Sequence, residues 1–291
     1  MASGATLVAG ATGALGTRVC ELLLARGGRV RALVRPGSDA AHLEGVELVE
    51  GDLERPETLP AALDGIAGVV VTATSFPVDP RPDAIERVDR HGVSALVAAA
   101  VTAGVKHVTY VSFRPIDRAF PLQDAKRAVE RQLVASGLDY TVLRPGSFME
   151  IWFSPLLGFD LDGGNVQLFG SGTAKLTWIS SHDVAAYAVW SLEAAAARNA
   201  TIELGGPAAL SQLEVVAIYE QFCGRPLATR GVPLDVLEAQ LDEGRSAVDR
   251  SLAGVMLGVA AGGVTEMAAL AALSGIEPTS VRQFVERSRP R

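Results

Sequence analysis

The sequence predicts a doubly wound α/β fold with a parallel sheet and a C-terminal region of different, mostly helical pattern. Three observations carry this. Short β-rich runs alternate with helical patterns over residues 1–150, a glycine-spaced loop follows the first of those runs, and the pattern changes after Gly146. With 291 residues, 48% of them apolar, the chain is long enough for one large domain, or one domain with an annex, around a full core.

Strands are predicted at 6–9, 29–34, 46–50, 69–73, 107–112 and 140–144. Their Val, Leu and Thr content suits strands covered on both faces. Helices are predicted between them, at 13–25, at 82–103 and around Leu122, Ala125, Val129 and Leu133, which recur at helical spacing. Residues 158–172 read as loops or short hairpins, 183–197 as a helix and 201–204 as a strand that rejoins the sheet. Ser211 followed by Glu214 predicts a capping box, and Pro233 and Pro278 open two further helices. The domain reading is thus 1–150 for a dinucleotide-binding domain and 151–291 for a substrate-binding region, with 176–206 returning to the first core.

Gly10, Gly13 and Gly16 sit directly after the first strand and open a helix, the setting in which this spacing points to a dinucleotide. Gly10 permits the turn, Gly13 lets backbone approach the pyrophosphate, and Gly16 lets helix pack on strand. Thr12, Ala14 and Leu15 complete the phosphate-facing loop of a Rossmann domain. The second strand ends in Val34-Arg35-Pro36, without the carboxylate that would hold an NAD ribose. Arg35, with Ser38 beside it, suits the 2′-phosphate of NADP instead. Asp52 and Leu53 close the third strand, where Asp52 can accept from an adenine amino group or cap its own turn. Thr72 and Ala73 end the fourth strand, at the switch point.

Composition narrows the partners. A net charge of −7 argues against direct nucleic-acid binding, which needs clustered cations. Cys20 and Cys223 form no disulfide framework, and the four scattered histidines show no metal-ligand spacing. The N-terminal run has no basic n-region. The apolar stretch 251–273 is rich in Gly and Ala and contains Glu266, so a pair of packed helices is expected rather than a membrane span. The expectation is a cytoplasmic protein acting on a small molecule, away from membranes, with a homodimer left open.

The motifs GATGALG (10–16), ALVRP (32–36), EGDL (50–53) and AAVTAGVKHVTYVSF (99–113) are joined by AKRAVERQLVASGLDYTVLRPGSFME (125–150), WISSHDVA (178–185) and IELGGPAALSQLEVV (202–216). On these residues the chain resembles the NmrA-like family of atypical short-chain dehydrogenases/reductases. The resemblance implies an NADP-preferring Rossmann domain with a small C-terminal substrate domain. It does not imply one activity, because the family includes quinone reductases, reductases of phenylpropanoid-type compounds, a non-catalytic redox-sensing regulator and photosystem assembly factors.

The proton relay usual in short-chain dehydrogenases is a Tyr four residues before a Lys. Here Tyr110, Tyr140, Tyr187 and Tyr219 are followed at that distance by Arg114, Arg144, Ser191 and Cys223. Lys126 matches the Lys that the resembling reductases retain. It is one of only three lysines against 23 arginines, so it is expected to contact cofactor rather than pair with Glu130 one helical turn on. Ser112, at the end of the fifth strand, is the second catalytic candidate. Pro145 and Gly146 are expected to let backbone approach the nicotinamide. Phe148, Met149 and Trp152 are expected to roof an apolar pocket, with the interdomain core as their alternative. Asp183 is expected to cap its helix, with His182 a less favoured proton donor.

The expected function is NADPH-dependent reduction of a conjugated apolar acceptor such as a quinone, an enone or a related carbonyl. The alternative is a non-catalytic NADP(H)-binding sensor or scaffold, and an assembly role ranks below both.

Overall fold

The computed structural model describes residues 4–287. They form two compact units. The first comprises the described residues up to Phe113, Pro121–Arg144 and Val184–Ile202. The second comprises Arg114–Phe120, Pro145–Asp183 and the described residues from Glu203 on.

The first unit carries the sheet predicted from the alternating runs. In chain order its elements are β1 (Ala5–Ala9), α1 (Ala14–Ala25), β2 (Val30–Val34), β3 (Glu47–Glu50), α2 (Leu59–Leu63) and β4 (Ile66–Val71). After a π-helical segment, Ile85–Gly92, come α3 (Val93–Thr102), β5 (His107–Val111), α4 (Pro121–Ala135) and β6 (Asp139–Pro145). The seven-stranded sheet has the order β10-β6-β5-β4-β1-β2-β3, in which β10 is the returning strand Ala200–Leu204. The pairings from β3 through to β6 are all parallel. Every residue of β5 is buried, as a strand covered by helices on both faces requires. Leu122, Ala125, Val129 and Leu133 of α4 are all buried, so the helical spacing marked the inner face correctly.

The chain leaves β1 toward β2 and β3 on one side and returns to β4 on the other. The reversal falls between β1 and β4, which opens a crevice beyond their C-terminal ends. Two of the boundaries that differ from the sequence expectation lie here, and the helix expected over 183–197 spans only Ser181–Ser191. The fourth strand begins at Ile66, because Ile66 pairs with Ala5, and stops at Val71, so Thr72 and Ala73 lie beyond the strand. The helix expected over 82–103 begins at Ile85, and its first two turns are widened into π geometry that carries Asp89 inward.

The second unit has α5 (Met149–Trp152), β7 (Phe159–Asp160), β8 (Asn165–Phe169), β9 (Lys175–Thr177), the start of α6 (Ser181–Ser191), β11 (Ala209–Ser211), α7 (Gln212–Cys223) and β12 (Ala228–Val232). It closes with α8 (Leu234–Glu243), α9 (Ala247–Ala261), α10 (Ala268–Ser274) and α11 (Val281–Arg287). The glycine-rich run over 158–172 contains the antiparallel pair β7–β8, and β12 adds in parallel to β8. The capping box forms as spaced: Glu214 N–H donates to Ser211 Oγ at 3.2 Å, and Ser211 N–H to Glu214 Oε2 at 2.7 Å.

Two expectations are corrected, the cap of α6 and the start of the last helix. Asp183 does not cap α6. It lies within the first turn, and its carboxylate accepts from Thr279 N–H at 2.7 Å and Thr279 Oγ1 at 2.8 Å. That tether holds the residues after Pro278 off the helical path, and α11 starts at Val281. The stretch 251–273 is split between α9 and α10, and no helix among the described residues is long and apolar enough to cross a membrane.

Candidate functional site

The site begins at the end of β1. Gly10 has φ +87°, and a Cβ there would sit 2.6 Å from Ala73 N, so the approach of β1 to the residues after β4 requires glycine. A Cβ on Gly16 would lie 2.1 Å from Gly10 O, so α1 can pack on the loop only without a side chain at that position. Gly13 differs, because a Cβ there meets only Gly10 O, at 3.5 Å, an ordinary contact. The fold itself does not demand glycine at 13.

Gly13 is the N-cap of α1. No side chain caps the helix, and no acidic residue lies in its first turn. The first-turn N–H groups therefore lack the partners that capping would supply, and the positive end of the helix dipole faces outward through Thr12, Gly13 and Ala14, all exposed. Leu15 and Gly16 continue that turn. This donor set fits a phosphate or pyrophosphate.

The loop opens into a cleft of about 370 Å³ in the first unit. Of the cofactor residues expected from sequence, Gly10, Thr12, Gly13, Arg35, Ser38, Asp52, Leu53, Thr72 and Ala73 line it. Arg35 is exposed, and its guanidinium makes no hydrogen bond or salt bridge among the described residues; its charge acts on Asp79. Asp52 does cap its own turn, accepting from Glu54 N–H at 3.0 Å, with Arg55 at 3.7 Å from its other oxygen. Thr72 donates to Ala9 O at 3.1 Å and so stitches the ends of β1 and β4 together.

The wall opposite the loop was not anticipated from sequence. Ser75, Phe76, Val78 and Asp79 form it. Arg81 clasps it to the turn after β3, donating to Asp79 at 2.7 and 3.0 Å and to Glu54 at 2.5 and 3.0 Å. The hydrogen bonds from Arg81 pull the Asp79 carboxyl down to about 2 and also lower that of Glu54. The short-range Asp79-Pro80-Arg81 spacing is the one sequence signal for this clasp.

Lys126 does not line the cleft. It is 6% exposed in α4, with its Nζ 3.7 Å from Asp89 Oδ1, 3.5 Å from Val111 O and 5.3 Å from the centroid of the Tyr110 ring. Burial lowers its pKa, and the charge of Asp89 opposes that shift. The Glu130 partner considered from helical spacing is engaged elsewhere, bonded to Arg127 and to Arg144 Nη2 at 2.6 Å. Burial would raise the Glu130 carboxyl, but hydrogen bonds from Arg144 and Ser112, with the nearby guanidinium charges, hold it below the usual carboxylate value. Ser112 is buried inside this network. Its hydroxyl accepts from Arg127 Nη1 at 3.0 Å, and its N–H donates to Leu143 O at 2.8 Å.

In the second unit, Gly146 N–H donates to Leu204 O at 2.8 Å while Pro145 O accepts from Arg114 N–H at 2.9 Å. Met149 is fully buried, and Phe148 is half-buried. The Trp152 ring packs edge-on against Phe169 and Trp178, with centroids 5.5 and 6.5 Å apart. The space between these rings is about 10 Å³, too small for a substrate. Met149 and Trp152 thus pack within the second unit. His182 lies half-buried beside Asp183 in the first turn of α6.

Known proteins place this geometry. The chain is 33% identical over 236 residues to the photosystem II assembly factor Ycf39 of Trieres chinensis, an alignment covering 80% of this chain and 73% of that one. It is 34% identical over 233 residues to an NAD(P)H azoreductase of Xenophilus azovorans, covering 79% and 77%. Among solved structures, the NADPH-dependent quinone oxidoreductase QOR2 of Escherichia coli, complexed with NADPH, superimposes with a TM-score of 0.78 at 24% identity, over 97% of this chain and 99% of that one. At that identity the likeness speaks to the fold. The model of the NmrA-like family matches residues 3–259, and the chain belongs to the NmrA-like family.

Proposed function

We propose that this protein is an NADPH-dependent oxidoreductase that reduces a small, apolar, conjugated acceptor of the quinone, enone or azo type. One observation carries the cofactor half of this reading. The uncapped N-terminus of α1 opens into the same cleft that the unpaired Arg35 lines. The N–H groups of Ala14 and Leu15 take the pyrophosphate, Arg35 and Ser38 the 2′-phosphate, and Asp52 the adenine amino group. Lys126 is assigned to the nicotinamide ribose by its match to the Lys that the resembling reductases retain; its Nζ lies buried beside Asp89, outside the cleft.

Bound NADPH supplies a hydride. The chain's own residues orient the reactants and stabilise charge, with Lys126 as the cation nearest in role to the missing Tyr-Lys relay. A quinone or azo acceptor needs little acid catalysis, because water can protonate the reduced heteroatoms. The azoreductase relative supports an acceptor of this kind.

A second reading has its own support. The Ycf39 relatives are assembly factors, the Tyr-x-x-x-Lys pair is absent, and Lys126 is withdrawn from the cleft. A non-catalytic NADP(H)-binding scaffold would need the loop and Arg35 but no proton donor. NADPH consumption across a panel of quinone and azo acceptors separates the two. The reductase reading expects turnover that falls at least about 100-fold in Lys126→Ala. Binding of NADPH without turnover of any acceptor would favour the scaffold.

A further inference from the structure

Asp89 is an aspartate with no exposed surface, inside a helical segment and facing the core. Taking a carboxylate out of water costs several kcal/mol (about that order) unless hydrogen bonds and a counter-charge replace the solvent. Its hydrogen bonds come from one place. Thr74 Oγ1 donates at 2.6 Å, Ser75 Oγ at 2.6 Å and Ser75 N–H at 3.0 Å. Thr74 and Ser75 both line the cleft. Its counter-charge is Lys126, 3.7 Å away.

Packing alone does not call for an acid here, since an apolar side chain would fill the same space without a desolvation cost. The other charged groups facing Lys126 cannot replace Asp89. Arg127 has the same sign. Glu130 is divided between Arg127 and Arg144, and Tyr110 presents the face of its ring, with its own buried hydroxyl lacking a hydrogen-bond partner. At 3.7 Å the ion pair is longer than a direct hydrogen bond, and Lys126 Nζ also donates to Val111 O at 3.5 Å.

We propose that Asp89 is a positioning residue that ties Lys126 to the Thr74–Ser75 wall of the cleft, so that the wall contacted by cofactor and the cation serving it move as one. This rests on the reading that Lys126 serves the cofactor, and the test separates the two. The chain has three lysines, so selective ¹⁵N-lysine labelling gives three side-chain amino signals, with Lys126 identified by its loss in Lys126→Met. In Asp89→Asn, which keeps an acceptor for Thr74 and Ser75 but removes the charge, the Lys126 titration midpoint should fall by at least about one pH unit, a tenfold loss of proton affinity. Lys106 and Lys175 should not move. NADPH affinity of this variant should fall about tenfold above the new midpoint and return toward wild type below it.

An unchanged Lys126 midpoint in a folded Asp89→Asn protein would overturn the proposal. A shifted midpoint with unchanged NADPH affinity would uphold the coupling and overturn the assignment of Lys126 to the cofactor. Should Asp89→Asn fail to fold, Ser75→Ala decides, because it removes a hydrogen bond that the cleft wall gives Asp89. The Lys126 midpoint should move in that variant, and an unmoved midpoint would overturn the proposal.

Discussion

Three glycines in one loop do three separable jobs. Gly10 and Gly16 are fixed by backbone atoms 2.6 and 2.1 Å from where a Cβ would stand, whereas Gly13 faces outward with nothing closer than 3.5 Å. Gly13→Ala should therefore change stability by no more than about 1 kcal/mol, as exchange of a weak N-cap does, yet weaken NADPH binding at least about tenfold by crowding the pyrophosphate. Urea denaturation alongside NADPH titration checks this; unchanged affinity in a stable variant would move the phosphate away from Gly13. The loop and Arg35 were legible in sequence because their chemistry is local, set by a strand end and the next helical turn. Asp89 was not. In the run Ile85–Gly92 it reads as one more polar residue on a helix, and only π winding turns it inward to Thr74 and Ser75. The Arg81 clasp was hidden for a related reason, because Glu54 and Asp79 lie on different loops that only the fold brings together.

Elements in the first unit followed their sequence patterns closely, because a strand buried on both faces and a helix with one apolar face each leave a periodic signal. The second unit left less. The parallel pairing of β12 with β8 joins segments about sixty residues apart, which no local pattern encodes. Trp152 shows the same limit. A sequence of aromatic and apolar residues after β6 suits a ligand pocket or a core, and α5 sets Trp152 against Phe169 of β8 and Trp178 after β9. Trp152→Ala should accordingly cost about 3 kcal/mol of stability, as truncation of a packed aromatic does, with Trp152→Phe recovering part of it. Denaturant midpoints of the two variants test this. A Trp152→Ala protein as stable as wild type but with a raised KM for acceptor would return Trp152 to the substrate pocket.

At the scale of the whole molecule, the sheet order and the crevice at its switch point explain why a cofactor site is readable while a substrate is not. The crevice is a property of the topology, and the helix N-terminus and Arg35 stand at its edge. The acceptor has no such topological mark, and relatives that share this family carry different names, an assembly factor and an azoreductase among them. Cofactor choice is the claim on which both proposed functions depend. Calorimetric titration of the full chain with NADPH and with NADH tests it most directly. Arg35 and the absence of an acid at the end of β2 predict NADPH binding at least about tenfold tighter, through a charge-assisted pair with the 2′-phosphate. Equal affinities for the two nucleotides, or binding of neither, would contradict it.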